Sequence, residues 1–242
     1  MLPLWGDRGH RELFLMKDAY LFDTETTGKI IPHIVESALL KLVSVRSIDA
    51  AGPTTVQRFN PEKDIELSAL AVHHIFREEL SQEPSYTEFR LPEKGGYLIG
   101  FNVEYDWDAA NNSQEQPEYK RIDLYGISRL LWPELDSHKQ VAVYYHLVGI
   151  AGRDLVKYAH SAEADVRICL AILVEVVRML QPESWEELWE FSEDAKVPET
   201  MPFGKHKGLH MSEVPSDYKE WLLGQDDVDP YLRTALKRKK WS

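Results

Sequence analysis

The sequence predicts an α/β protein in which a mixed β-sheet is flanked by helices, followed by a small C-terminal module. Three observations predict it. Three strand-like segments run in succession before any helix, and the third returns antiparallel. Short apolar strands then alternate with helical segments. A long helical segment from 160 to about 179 carries one broad apolar stripe, as a helix lying on a sheet must.

Residues 1–17 mix charged and apolar residues without a period and read as an N-terminal extension. The first strand covers about 18–25 and ends the apolar run Ala19-Tyr20-Leu21-Phe22. Gly28 to His33 contains Gly and Pro and is a loop. Ile34 to Val45 is β-branched and apolar, with Glu36 and Lys41 as polar interruptions, and reads as a long strand. Gly52-Pro53 turns the chain into a third strand, Thr54 to Phe59. Leu67 to Ile75 reads as a short helix with Ser68 as its N-cap, and Pro84 to Phe89 as helical. Gly95-Gly96 precedes a buried strand, 97–101, and 121–124 forms another. Segments 125–132 and 139–148 are helical, and His160 stands just before the long helix, whose stripe is Ile168, Leu170, Ala171, Leu173, Val174 and Val177. Residues 18–180 thus form the main domain. Residues 181–200 form an acidic amphipathic linker helix with Trp185, Leu188, Trp189 and Phe191 on one face, and 201–242 the small module.

Composition bounds the function. The 242 residues are 43% hydrophobic, enough for a full core, and the formal charge is −12. Nucleic acid favours basic partners, but the charge is unevenly placed. Residues 181–200 hold seven acids against one Lys, whereas 201–242 hold eight Lys/Arg against six acids, including the basic run Lys237-Arg238-Lys239-Lys240. Net charge is therefore no veto. Cys169 is the single cysteine, so no internal disulfide and no Cys-based zinc site is expected. No window approaches ~20 apolar residues, so no membrane span is expected and a cytoplasmic location is.

The chemistry centres on Asp23-Thr24-Glu25. Strand alternation sends Asp23 and Glu25 to one face and Thr24 to the other. Two carboxylates so placed repel each other unless a cation lies between them, and hard divalent ions such as Mg²⁺ take oxygen ligands of this kind. Such a pair alone is usually a solvated strand end. Residues further along the chain give it weight: Asn102 and Asp106, four apart on one helical face, and His160 with Asp165 at a helix start. Taken singly, Asp106 is an acid at a helix N-terminus and His160 a helix-entry residue.

The order Asp23-x-Glu25-Thr26-Thr27-Gly28, Asn102-x-x-x-Asp106 and His160-x-x-x-x-Asp165 resembles the DEDD exonuclease superfamily, in its subgroup with a histidine in the third motif. Ile34-Val35-Glu36 matches that family's second strand, and Ala71-Val72-His73-His74-Ile75 its segment beside the substrate 3′ end. The residues from Met201-Pro202-Phe203-Gly204-Lys205-His206-Lys207-Gly208 to Tyr218-Lys219-Glu220-Trp221-Leu222 look like the module of exodeoxyribonuclease X-type proteins. The resemblance implies a ribonuclease H-like core and hydrolysis of DNA from its 3′ end with two Mg²⁺ or Mn²⁺ ions. By similarity Asp23, Glu25 and Asp165 hold the first ion, Asp23 bridges to the second, Asp106 serves it directly or through water, and His160 takes the proton from the attacking water. Thr26, Ile30, His73 and Asn102 are candidate substrate contacts, with core packing the other reading of His73 and loop bracing that of Asn102.

Relatives often have His where this chain has Phe101, and Phe where it has Tyr105; both keep an aromatic wall. His33, His138 and His146 carry no functional expectation. In the module, Lys205, His206 and Lys207 between two glycines form either a basic turn that meets phosphate or a solvated hairpin. The same motifs occur in 3′→5′ exoribonucleases, so RNA is an alternative substrate. A catalytically silent nucleic-acid-binding module is a third reading, and a homodimer is a further possible partner state.

Overall fold

The computed structural model describes residues 18–46, 48, 52–225 and 228–238. The expected N-terminal extension and Lys239 and Lys240 of the basic run lie outside these residues. The chain divides into two compact units, 1–190 and 191–242, at a boundary inside the helix Trp185–Ala195.

In the first unit, strands β1 (Ala19–Thr26), β2 (Ile34–Leu42), β3 (Thr55–Arg58), β4 (Tyr97–Gly100) and β5 (Lys120–Asp123) form one sheet in the order β3-β2-β1-β4-β5. The β1–β2 and β2–β3 pairs are antiparallel, while β1–β4 and β4–β5 are parallel. The helices are α1 (Leu67–His73), α2 (Val103–Ser113), α3 (Leu124–Leu131), α4 (Gln140–Val148), α5 (Arg153–Val156), α6 (Ala162–Leu180) and α7 (Trp185–Ala195). No helix among the described residues is long and apolar enough to cross a membrane.

Parity along β1 separates the two faces. Tyr20 and Phe22 enter a core with Phe59, Phe89, Leu98, Val103 and Ala109, which is the α2 side. Ala19, Leu21, Asp23 and Glu25 alternate with them and face the other way, toward the side on which α6 packs over β1 and β2. Gly96 permits the β1–β4 junction: a Cβ there would lie 1.9 Å from the Asp18 carbonyl oxygen. The C-terminal ends of β1 and β4 therefore lie side by side, and in open α/β sheets that end is where ligands bind.

Several local expectations change. The second strand stops at Leu42. The N-cap of α1 is Glu66 rather than Ser68, because Glu66 N–H is bonded to the Thr27 carbonyl (2.8 Å), which fixes the helix entry earlier in the chain. Pro84 to Phe89 forms only a 3₁₀ turn, Tyr86–Glu88, capped by Ser85. On α6 the buried set is Ala162, Ala164, Asp165, Val166, Ile168, Cys169, Ile172, Leu173 and Val176, whereas Val174 is exposed. Val174, seven residues after Arg167 and four before Arg178, shares their exposed side of the helix, while the sheet and α4 cover the other. On α7, Glu186 accepts from the Tyr97 hydroxyl (2.6 Å) and pairs with Lys120, whose ammonium also stands 3.8 Å over the Trp189 ring.

The second unit has its own core of Val197, Met201, Met211, Val214, Leu222, Leu232, Ala235 and Leu236. Its helices are α8 (Ser216–Leu223) and α9 (Pro230–Lys237). Asp229 caps α9 by accepting from Tyr231 and Leu232 N–H, and Arg233 donates to the Leu223 and Gln225 carbonyls beyond α8.

Candidate active site

Asp23 and Glu25 project from the last residues of β1, and Asp165 from the first turn of α6. One carboxylate oxygen from each lies within 4.8 Å of the others, the only group of that kind among the described residues. Glu25 and Asp165 are buried and Asp23 is half-buried. Without a cation these groups resist ionisation. Burial is the largest cause, and repulsion from neighbouring acids, Asp106 first for Asp23 and Asp165 first for Glu25, adds to it: the Glu25 carboxyl is pushed up to about 9, and Asp23 stands well above the usual carboxylate range. Asp165 is raised by burial and held back by the bond from His160 N–H.

The second helix supplies Asp106 from the other side of β1. Thr24 donates its backbone N–H (2.9 Å) and its hydroxyl (2.7 Å) to Asp106 Oδ1. Burial raises the Asp106 carboxyl, and the Thr24 donors oppose that rise. Asp106 thus lies outside the triangle of Asp23, Glu25 and Asp165, beside it and separately braced. Asn102, at φ 67°, precedes α2 in the left-handed region, which Asn tolerates. Its N–H donates to Asp123 Oδ1 (2.7 Å) while its side chain is exposed.

Two contacts fix the N-terminus of α6. Ser161 Oγ accepts from Ala164 N–H, and Glu36 Oε1 accepts from Ala162 N–H at 3.1 Å, with Glu36 Oε2 held by Arg58 Nε at 3.0 Å. His160 precedes the helix at φ 69°, with its side chain exposed and its N–H donated to Asp165 Oδ2 (3.0 Å). The tie sets the backbone of His160 against Asp165 and leaves the ring outside the core.

The loop after β1 is built into the same corner. Thr26 is buried, and its hydroxyl bonds the Tyr105 hydroxyl and the Gly28 carbonyl oxygen. Gly28 stands at φ 149°, a backbone conformation that residues with a Cβ rarely adopt. Ile30 is 78% exposed and Ile31 66%. His73, at the end of α1, is buried; its Nδ1 accepts from Ile75 N–H (3.0 Å), leaving the proton on Nε2, and the ring lies against the Thr26 backbone. Burial depresses its basicity, and the Thr26 backbone opposes that. His33 bonds the Pro61 carbonyl oxygen through Nδ1 and stacks on Tyr86.

Sequence reasoning passed over Thr24, Glu36 and Asp123 as functional supports and saw Tyr105 only as a wall. Cross-strand parity was a usable signal for Thr24. Asp123 also caps α3 by accepting from Tyr125 N–H, which a local pattern could have shown, whereas the bond of Glu36 to Ala162 N–H spans 126 positions and no local pattern reveals it.

No protein-family model matches the sequence, and no curated protein does. Solved structures do. Exonuclease X in complex with 5′ overhanging duplex DNA superposes with a TM-score of 0.55 and 20% identity, over 72% of this chain and 99% of its own. The fold is shared with exonucleases. E. coli exonuclease I in complex with a dA16 oligonucleotide gives 0.54 and 18% identity over 75% of this chain and 44% of that one. The zinc-bound form of the E. coli exonuclease I–ssDNA complex gives 0.54 and 18%, over 72% and 42%. The chain therefore spans nearly all of exonuclease X and less than half of exonuclease I.

Proposed function

We propose that this chain is a metal-dependent 3′→5′ exonuclease that hydrolyses DNA phosphodiester bonds from a 3′ end and releases nucleoside 5′-monophosphates. The observation that carries this reading is the Asp23–Glu25–Asp165 triangle, placed at the strand ends of a fold shared with exonuclease X and exonuclease I.

The donor set suits Mg²⁺ or Mn²⁺. It offers hard carboxylate oxygens, enclosed and mutually repelling, which a divalent cation relieves. Asp23, Glu25 and Asp165 would hold one ion, and Asp23 together with Asp106 a second. When bound, such ions lower the pKa of a coordinated water and neutralise charge on the phosphate.

The rest of the work belongs to the protein's own groups. His160 takes the proton of the attacking water on its exposed imidazole as the new O–P bond forms and the bond to the departing 3′ oxygen breaks. The bond from its N–H to Asp165 keeps that ring next to the acids. Thr24 holds Asp106 in one orientation. His73 meets the terminal sugar from the end of α1. Ile30 lies against the terminal base, Thr26 shapes the turn beneath it, and Asn102 meets the strand from the head of α2.

The test is digestion of matched 5′-labelled DNA and RNA oligonucleotides with Mg²⁺ or Mn²⁺, beside EDTA and Asp165→Ala controls. Metal-dependent shortening of DNA from the 3′ end, lost in the variant, is expected. Faster loss of RNA would reassign the substrate, and binding without cleavage of either would overturn the enzymatic reading.

A further inference from the structure

The second unit bears a surface that uses none of the acid-cluster residues. Gly204 and Gly208, at φ 75° and 83°, bound a tight turn that carries Lys205, His206 and Lys207. Both lysines are exposed, and neither is ion-paired among the described residues. His206, between them, sets its ring edge-on to Tyr218 (centroids 4.6 Å apart, 74°). Tyr218 and Trp221 are three residues apart on α8 and so share a face, with centroids 5.4 Å apart at 37°. The turn is fitted to this face: a Cβ on Gly204 would lie 2.6 Å from the Tyr218 hydroxyl oxygen.

Tyr218 packs against the unit's core and carries the outer ring, Trp221, which does not. Leu222, next in the chain, points into the unit's interior, while Trp221 remains 57% exposed. A single exposed apolar residue needs no explanation. Rings in series beside two unpaired lysines are a different case, because they combine π faces with cations. That combination suits single-stranded nucleic acid, in which unpaired bases stack on aromatic side chains and phosphates meet Lys or Arg. The acids on α8 are Asp217 and Glu220, and the Asp217 carboxylate accepts from Tyr218 N–H. Residues 201–242 as a whole carry more basic than acidic side chains, in a chain of net charge −12. The complement of such a face is a polyanion with flat apolar groups.

We propose that His206, Tyr218 and Trp221, with Lys205 and Lys207, form a single-stranded nucleic-acid site in which a base stacks on Trp221 and the neighbouring phosphates meet the two lysines. The site goes beyond the proposed hydrolysis and stands or falls without it.

The test uses the full chain in EDTA, so that the strand stays intact, and reads fluorescence anisotropy of a 5′-labelled oligothymidylate. Trp221→Ala weakens binding by on the order of 10-fold, the range expected for loss of one stacked base, and Trp221→Phe recovers most of it. The double variant Lys205→Ala/Lys207→Ala lowers the slope of log affinity against log salt by about 1.4, at ~0.7 per phosphate contact on a single strand. Unchanged affinity in Trp221→Ala, or an unchanged salt slope in the lysine variant, would overturn the proposal. The lysines lie on an exposed turn, so their variant reports even if Trp221→Ala disturbs the unit. Cleavage with Mg²⁺ is scored separately: DNA cleavage with unaltered binding by both variants rejects this site alone, and absent cleavage with the expected losses rejects the hydrolase alone.

Discussion

Thr24 gives both of its donors, the backbone N–H and the hydroxyl, to a single oxygen of Asp106, 82 residues further along the chain. Thr24 stands between Asp23 and Glu25 and points to the opposite face of β1. One strand end therefore presents two acids to α6 and grips a third on α2. The two bonds favour the ionised form of Asp106, against the burial that disfavours it.

Thr24→Val keeps the shape and removes the hydroxyl. Loss of one hydrogen bond to a buried carboxylate is expected to lower unfolding free energy by about 2 kcal/mol at pH 8, measured by urea titration. Removing a donor to the ionised form also raises the Asp106 carboxyl further. The destabilisation should therefore be smaller at pH 5, where the carboxyl is protonated, and the activity profile should move to higher pH.

Metal-free stability should fall as pH rises. The Asp23, Glu25, Asp106 and Asp165 carboxyls are all raised in the folded protein. The folded state therefore holds protons that the unfolded chain releases near pH ~4. The stabilisation from this source is full below that pH and is lost as pH climbs toward the Glu25 value of about 9. Thermal melts in EDTA should show Tm declining from pH 5 to pH 9. Added Mg²⁺ or Mn²⁺ should reverse the decline at the alkaline end, since a ligand that binds only the folded state stabilises it. A flat Tm profile in EDTA would count against this electrostatic account.

Asp165→Asn should separate stability from activity. It removes one charge from the repelling triangle and keeps an oxygen acceptor for His160 N–H. Tm in EDTA at pH 8 should rise, the Mg²⁺-dependent increase in Tm should shrink, and kcat should fall by on the order of 10²–10³, the scale for removing one preorganised electrostatic group. Differential scanning fluorimetry and the labelled-oligonucleotide assay read the two effects.

Glu36 acts as a positioning residue. It is cross-strand from Arg58 and directly opposite Glu25 in the β1–β2 ladder, and it accepts from the first N–H of α6, the helix that carries Asp165. Glu36→Ala should weaken apparent Mg²⁺ affinity roughly 10–100-fold, the range for groups that orient metal ligands. Glu36→Gln, which retains an acceptor for Ala162 N–H, should recover most of that loss in a Mg²⁺ titration of activity.

Local chemistry made the acids legible. The parity of Asp23 and Glu25, the four-residue spacing of Asn102 and Asp106, and the helix start between His160 and Asp165 depend on strand and helix periods, which hold wherever the elements are placed. The sheet class was readable for the same reason, from apolar segments bounded by Gly and Pro. What lies between elements was not. Glu66 displaced Ser68 as the N-cap of α1 because its N–H is bonded to the distant Thr27 carbonyl, whereas Val174 of α6 faces solvent on the side of Arg167 and Arg178, as the helical period dictates.

The sequence by itself determined which carboxylates this protein has, on which side of their own strand or helix each one stands, and in what order they come. Only the tertiary structure decided that Asp23, Glu25 and Asp165 meet within 4.8 Å with Asp106 braced beside them by Thr24, and that Glu36 secures the helix bringing Asp165 to them. The physical reason is range. A side chain's facing depends on dihedral periods a few residues long, whereas a shared site depends on packing and hydrogen bonds between residues 82 or 126 positions apart, which exist only once the sheet and its helices have closed.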